Sequence, residues 1–324
     1  MPTGVLAILS FKKMHHKINR QVIKISVGLL LSILTPAAAF ACACGCGVYD
    51  VGTSSMFPED SGGTAFLGYT FQDQNKNWSG NSSAAGNHND DKKLETQTYT
   101  AGLQYLFNRD WGMQLQIPVV HRTFDSSANS GPITWNGLGD IQLRGVYTGF
   151  SDDLSTGVSL GAKLPTGGYN HTDAAGDIDR DSQIGTGSTD LLLGAFHRGD
   201  IAGSANWNWF AQAQLNVPVL KQGDYRPGLE TDAAGGIYYE GLSLGCVKVS
   251  PVAQIIGVWR GRDNGAAAAP DDSGYQRVLI GPGVEFRRHP VKLFAAVEIP
   301  VYENVTGNQL VSPVLFKINL SYMF

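Results

Sequence analysis

Charge is what this sequence is short of. Only 16% of its 324 residues are Asp, Glu, Lys or Arg, against about 25% in an average globular chain. The formal net charge of −4 offers no basic footprint for nucleic acid. Low charge combined with 10% aromatic residues excludes a disordered chain. A long apolar run is missing too. The extended one, Val27 to Ala39, falls short of the ~20 residues of a membrane-spanning helix. With a mean hydropathy of −0.10, a multi-helix membrane protein is excluded. No helical period is sustained after residue 60. There is no C-x-x-C-H for a covalent haem and no G-x-S-x-G for a nucleophilic serine. The histidines His15, His16, His88, His121, His171, His197 and His289 show no metal-ligand spacing. Glycine, in contrast, is abundant: 40 of 324 residues, or about 12% against a usual ~7%. A β-rich chain remains, one whose lipid-facing surface is averaged with a polar interior.

Residues 1–41 read as an address. Lys12, Lys13, Lys17, Arg20 and Lys24 precede the apolar run, with no acid among them, and the run ends at Ala39-Phe40-Ala41. Basic region, short apolar region and A-x-A site together make a secretory signal peptide. Met14 would open a signal of ordinary length. Removing residues 1–41 takes away five basic residues and no acid, which leaves 19 basic against 28 acidic residues, a net charge of −9.

The remainder alternates apolar and polar residues. Val314, Phe316, Ile318, Leu320, Tyr322 and Phe324 share one face, and Leu315, Lys317, Asn319, Ser321 and Met323 the other. Trp207, Trp209, Ala211, Ala213, Leu215 and Val217 oppose Asn208, Phe210, Gln212, Gln214 and Asn216. The same pattern sets Trp111, Met113, Leu115, Ile117 and Val119 against Gly112, Gln114 and Gln116, and Val291, Leu293 and Ile299 against Lys292, Phe294 and Glu298. Period 2 is the mark of a strand with two different environments. Segments of this kind predict about twelve strands, near 63–73, 94–107, 111–122, 139–150, 154–165, 189–198, 204–218, 230–240, 243–260, 275–287, 290–302 and 312–324. Connections alternate between long (74–93, 123–138, 166–188, 219–229, 261–274, 303–311) and short, such as Asn108-Arg109-Asp110 and Glu240-Gly241. Tilted strands of about ten residues, long loops at one end and short turns at the other predict an all-β fold, a transmembrane antiparallel up-and-down β-barrel of the outer-membrane type. A soluble sandwich also alternates, but its inner face would be apolar along the strand middles, where this one carries Gln, Asn, Lys and Glu. Aromatic residues near strand ends fit an interfacial girdle. The last residue, Phe324, with Tyr322 on the same face, resembles the C-terminal signature read by the barrel-assembly machinery of bacterial outer membranes.

Four strands share a phrase: Gln116-Ile117-Pro118-Val119, Lys163-Leu164-Pro165-Thr166-Gly167, Asn216-Val217-Pro218-Val219 and Glu298-Ile299-Pro300-Val301. Proline lacks a donor and belongs at strand ends, edges or bulges; all four are placed at the loop end of rising strands. Gly137-Leu138-Gly139-Asp140-Ile141 and Gly185-Thr186-Gly187-Ser188-Thr189-Asp190-Leu191 each open a descending strand. Over about residues 62–324, these phrases resemble the outer-membrane family described as the MetA pathway of phenol degradation, a family of transporters. The resemblance implies a barrel and passage of small organic molecules, and supplies no substrate residues.

The expected organisation is a signal peptide at 1–41, a Cys-containing periplasmic segment at 42–61 and a barrel at 62–324. Cys42, Cys44 and Cys46 form C-x-C-x-C. Three fates are open for them: disulfides with Cys246 as a fourth partner, a soft metal ion such as Cu(I) or Zn, or lipidation at Cys42, where Ala39 stands at a position that usually holds Leu. No other cofactor is expected. Arg144, Lys163, Lys248, Arg277, Glu285, Glu298 and Lys317 are the candidate pore-lining charges, either tuning selectivity or pairing across the lumen. Asp177-Ile178-Asp179-Arg180-Asp181 has calcium-loop spacing without the downstream Glu and reads as a solvated acidic loop. The expected function is a monomeric channel, not an enzyme, in the outer membrane of a Gram-negative bacterium. It passes small, aromatic or hydrophobic solutes passively and touches lipid, the assembly machinery and its solutes. The alternatives are a metal- or redox-linked conduit, a structural barrel and an outer-membrane enzyme.

Overall fold

The computed structural model describes residues 62–85, 91–127, 130–172 and 178–324. The signal, the Cys42–Cys44–Cys46 cluster, the segment 42–61, His88 and Asp177 lie outside the described residues. Twelve antiparallel strands close into a barrel. They are β1 (Gly62–Gln74), β2 (Asp91–Leu106), β3 (Trp111–Ser126), β4 (Ile141–Tyr147), β5 (Thr156–Leu164) and β6 (Thr189–Asp200), followed by β7 (Trp207–Leu220), β8 (Glu230–Tyr239), β9 (Val247–Arg260), β10 (Tyr275–Arg288), β11 (Val291–Val311) and β12 (Leu315–Met323). Closure is made by β1 on β12, in register from Thr64↔Met323 to Gln72↔Leu315. The seam is finished by Gly63 N–H donating to the Phe324 carbonyl at 2.7 Å and Phe324 N–H donating to the Gly63 carbonyl at 2.8 Å. A closed sheet leaves no open edge, so the wall's backbone groups are paired strand to strand around the ring.

The two strand faces meet opposite environments. Outward residues are large, apolar and exposed: Leu67, Leu103, Met113, Leu160, Ile255, Phe316, Ile318 and Leu320 among them. Such a belt would be intolerable in water and is what a bilayer requires. Its lower edge is aromatic. Trp111 packs on Tyr147 with centroids 4.7 Å apart, Tyr147 on Phe150 at 4.9 Å, and Trp207 on Tyr239 at 5.1 Å. Its upper edge is marked on β2, where the outward Lys93 meets Glu95 at 2.9 Å and Asp73 at 3.6 Å. From Tyr99 to Phe107, at about 3.3 Å per residue and ~40° of tilt, the band is roughly 20 Å tall, comparable to the ~25 Å of outer-membrane barrels. An Ile318→Arg substitution at mid-height on β12 is therefore expected to cost about 2–4 kcal/mol, and Tyr322→Arg at the rim no more than about 1. Urea unfolding in lipid vesicles reads both; equal costs would mean that this face does not meet hydrocarbon.

Several strands run past their expected ends. β11 has 21 residues, and residues 303–311, expected as a loop, are strand. Their upper part pairs with a short strand, Lys76–Gly80, inside the expected loop 74–93. The expected loop 123–138 contains Ile133–Leu138, which pairs with the upper half of β3. The Glu240-Gly241 turn is replaced by a small hairpin of Leu242–Leu244 on Val247–Val249. Of the phrase prolines, Pro165 follows the end of β5, and the other three sit at irregularities of the ladder. Pro118 and Pro300 lie inside long strands, not at their ends. Pro118 sits where the neighbouring pairing breaks between Leu138 and Gln142. Pro300 adjoins a register shift at Val301 of its own strand, against β10, and Pro218 one at Val219 of its own strand, against β6. A residue without an N–H is tolerated where the ladder already lacks a bond.

Candidate functional site: the lumen

Inward residues are buried although they sit inside a barrel, because they fill it. Twelve strands enclose more than the eight-stranded barrels that side chains just fill, and less than the 16–18-stranded aqueous porins. The lumen wall has two characters. On β1 to β4 it is mainly polar: Gln72, Gln74, Thr96, Gln104, Gln114, Arg122 and Arg144 are buried there. From β6 to β11 an apolar cluster built on Phe196, Phe210, Ala234, Ile256, Leu279 and Phe294 is interleaved with buried polar and charged residues such as Gln212, Asp232, Gln254, Arg277 and Glu298. Six of the seven candidate charges are inside. Lys317 on β12 meets Glu298 on β11 at 3.1 Å, and both are essentially inaccessible. Arg277 meets Glu303 at 2.9 Å, Lys163 meets Asp190 at 2.5 Å, and Glu285 holds Arg287 at 2.8 Å. Arg144 faces inward and bonds Gln142 on its own strand. Lys248 is the exception. It keeps the inward parity of β9 but stands exposed at the turn end, in register with Ser243 and Arg287. A two-residue period fixes a face and not a height, which is why the sequence misplaced it.

The sequence reading missed Asp232, a buried carboxylate on β8. Charged residues within electrostatic range of it are Glu230, Lys317 and Arg144. Strands β4, β8 and β12 lie at thirds of a twelve-strand circumference, so Arg144, Asp232 and Lys317 converge from three sides on the barrel axis. These three side chains make up a belt at mid-lumen.

The loop end is closed down by the connection between β5 and β6. Ile178 is buried against the inward Leu94, Phe124 and Leu310, so the stretch expected to be a solvated acidic loop is anchored in the barrel mouth. Arg122 of the wall donates to the carbonyls of Ser182 and, at 2.8 Å, Gln183. The Arg180 guanidinium lies over the rings of Tyr169 at 4.5 Å and Tyr225 at 4.6 Å. Trp135 stacks on His171 at 4.5 Å. In the next loop the Lys221 ammonium, bonded to Asp224, holds that carboxyl below its ordinary range.

The glycine phrases meet at the foot of this connection. Asp140, from Gly137-Leu138-Gly139-Asp140, accepts from the Gly167 N–H at 3.0 Å, the Thr186 N–H at 2.9 Å and the Thr186 hydroxyl at 2.8 Å. The Thr166 hydroxyl donates to the Gly139 carbonyl at 2.7 Å, and the Ser188 hydroxyl to Asp190 at 2.6 Å. A β-carbon at Gly185 would collide with the Gly167 backbone, so the two chains touch only because both are glycine. Asp140→Ala leaves two backbone donors without their acceptor and is expected to cost about 2–4 kcal/mol. Asp140→Asn, which keeps one acceptor oxygen, should cost less. The temperature at which the folded band disappears on an unheated-versus-heated gel measures both; equal values would mean that Asp140 is not the tie.

Cys246 lies exposed in the turn before β9, and its candidate partners Cys42, Cys44 and Cys46 lie outside the described residues. Among the described residues no cluster of His, Cys, Asp or Glu is arranged to hold a metal ion.

A closed antiparallel barrel with an aromatic-edged apolar outside and a polar, charge-paired inside defines the transmembrane β-barrel fold. The comparison with solved structures agrees. A crystal structure of an outer-membrane channel from Pseudomonas putida F1 superposes with a TM-score of 0.63 at 14% identity, over 85% of this chain and 100% of that one. The β domain of the Bordetella autotransporter BrkA superposes with a TM-score of 0.50 at 14% identity, over 82% of this chain and 100% of that one. At these identities the likeness is one of fold. No protein-family model matches the chain, and no curated protein matches it.

Proposed function

We propose that the protein is a passive outer-membrane channel of a Gram-negative bacterium for small, uncharged and partly apolar solutes. One observation carries the reading: the lumen holds a large apolar cluster, with Phe196, Phe210, Ile256, Leu279 and Phe294, interleaved with buried polar and charge-paired side chains. A purely aqueous porin has no use for buried Phe196, Phe210, Ile256 and Leu279. The charged belt of Arg144, Asp232 and Lys317 opposes free ions at mid-lumen. This reading agrees with the phrases that resemble the phenol-degradation MetA family and with a transport role rather than catalysis. It carries with it a monomeric barrel, assembled by way of Tyr322 and Phe324. Purified protein in vesicles tests it. Uptake of a small neutral ring-bearing solute should rise in proportion to its gradient, without an energy source, and exceed that of a sugar of equal mass. Absence of uptake together with silence in planar bilayers at all voltages would falsify it and leave a structural barrel. The N-terminal Cys42, Cys44 and Cys46 support the metal or redox alternative, for which thiol titration and metal analysis are the check.

A further inference from the structure

The lumen is not filled evenly along its height. On β1 to β4 and β7 the inward Thr70, Thr98, Thr100, Gln116, Gln142 and Asn216 are half-buried. Thr70 faces Thr98 across β1 and β2, and Gln116 faces Gln142 across β3 and β4. Lys163 on β5 keeps 16% of its side chain exposed, although its partner Asp190 keeps 3%. Inward residues nearer the loop end, Gln72, Thr96 and Arg122, are buried, and so are Phe66, Gln104 and Gln114 nearer the turn end. A chamber lined by hydroxyls and amides therefore opens at mid-height, between the loop-end connection and a closed floor.

The floor is mainly aromatic. Phe66 on β1, Phe196 on β6, Phe210 on β7 and Phe294 on β11 point inward, are buried, and stand near the turn end of their strands. Val146 and Val252 pack in one cluster with the last three, and Gln104 and Gln114 complete the level on β2 and β3. None of these side chains is charged, although charges lie on both sides: Arg144, Asp232 and Lys317 toward the chamber, Glu285 and Arg287 toward the turns.

Three of the rings share one device. Phe66 is paired with Gly102, Phe196 with Gly157 and Phe210 with Gly236 across neighbouring strands. A β-carbon at Gly157 or Gly236 would come within 2.5 Å of the facing ring, and one at Gly102 would collide with the Phe66 ring. Phe294 lies beside Gly283, where a β-carbon would be 3.2 Å from it. Glycine weakens a strand interior and marks a close approach. What approaches here is a phenyl ring, laid down on the wall of the neighbouring strand and spread along the circumference.

We infer that the floor of Phe66, Phe196, Phe210 and Phe294 is the ion barrier of the channel, and that the glycines beneath the rings set the width a solute meets. A hydrated ion in the polar chamber must shed its water to cross an uncharged, largely apolar level. A neutral, partly apolar solute parts the rings, because its contacts with them replace their contacts with one another. This inference rests on the channel reading and names the residues that discriminate.

Planar bilayers and vesicle uptake on the full chain test it. The parent should take up a small neutral ring-bearing solute while conducting ions weakly. Phe196→Ser combined with Phe210→Ser should raise ion conductance roughly tenfold, whereas Phe196→Leu with Phe210→Leu, apolar at the same level, should leave it nearly unchanged. Gly157→Ala with Gly236→Ala should act in the opposite sense: both rings are driven toward the axis, and solute uptake should fall severalfold with ion conductance no higher. The heat-sensitive folded band on gels shows that each variant is a closed barrel, and the glycine pair decides alone if the serine pair does not fold. If the ring–glycine pairs only steady their strands, these variants change stability and neither readout. A folded serine variant that conducts no more than the leucine one, or a folded glycine variant with undiminished uptake, overturns the barrier and leaves the channel reading standing. A parent that takes up no solute, with a serine variant that conducts, upholds the barrier and overturns the channel reading.

Discussion

Lys317→Met should be among the most damaging single substitutions in the barrel, with a loss of about 3–5 kcal/mol. Lys317 and Glu298 are 3.1 Å apart and almost wholly withdrawn from solvent. Removing the ammonium leaves the Glu298 carboxylate buried against a methionine, and the cost lies in that stranded charge more than in the lost attraction. Adding Glu298→Met should recover most of the loss, since apolar replacement of a whole buried pair is often neutral. Recovery should stop short of wild type, because Asp232 also feels the Lys317 charge across the lumen. A double-mutant cycle on urea unfolding in vesicles measures both terms. If Lys317→Met alone is neutral, Glu298 is not held as a charged partner and the mid-lumen belt is wrong. The belt also sets the second readout. Without Lys317, anion over cation preference in planar bilayers should fall.

Arg122→Ala should free the β5–β6 connection from the barrel mouth. Two backbone carbonyls, of Ser182 and Gln183, depend on that one guanidinium, and burying each without a donor costs about 1–3 kcal/mol. Ile178 would then hold its place among Leu94, Phe124 and Leu310 by apolar contact alone. Local opening exposes the chain to protease in proportion to the open population. Trypsin should therefore cut after Arg180 at least tenfold faster in Arg122→Ala than in the parent, with the barrel itself intact on gels. Ile178→Asp should act alike by a different route, by placing a charge among apolar neighbours. Conductance should rise in both variants if the connection narrows the mouth. An unchanged cleavage rate in both would show that the connection is held elsewhere, by the Asp140 knot or the Tyr169–Arg180–Tyr225 stack.

The comparison of sequence and fold turns on distance along the chain. β12 was legible residue by residue, because Phe316, Ile318 and Leu320 face out and Lys317, Asn319 and Ser321 face in by nothing more than local alternation. Strand ends were less legible. Residues 303–311 alternate poorly and read as a loop, yet they are strand, because Lys76–Gly80 arrives from the other end of the chain to pair with them. The glycine phrases showed only that the backbone comes close to something. That they come close to each other, Gly167 against Gly185 and Asp140 against Thr186, is a fact of the folded wall. Asp232 was overlooked because the stretch Glu230-Thr231-Asp232-Ala233-Ala234 matches no motif of its own.

The sequence by itself determined the class of protein: period-2 segments with an apolar and a polar face, long and short connections in alternation, and a charge deficit where lipid must be met. Side-chain direction in a strand is a local property, so these survive without a partner. The tertiary structure decided what the lumen contains. Which inward residues meet depends on the number of strands and on their stagger at closure, and neither is written in any one strand. Twelve strands bring β4, β8 and β12 to bear on one point, so that Arg144, Asp232 and Lys317 become neighbours. The same closure gathers Phe196, Phe210, Gln212 and Gln254 from three strands into one patch of wall.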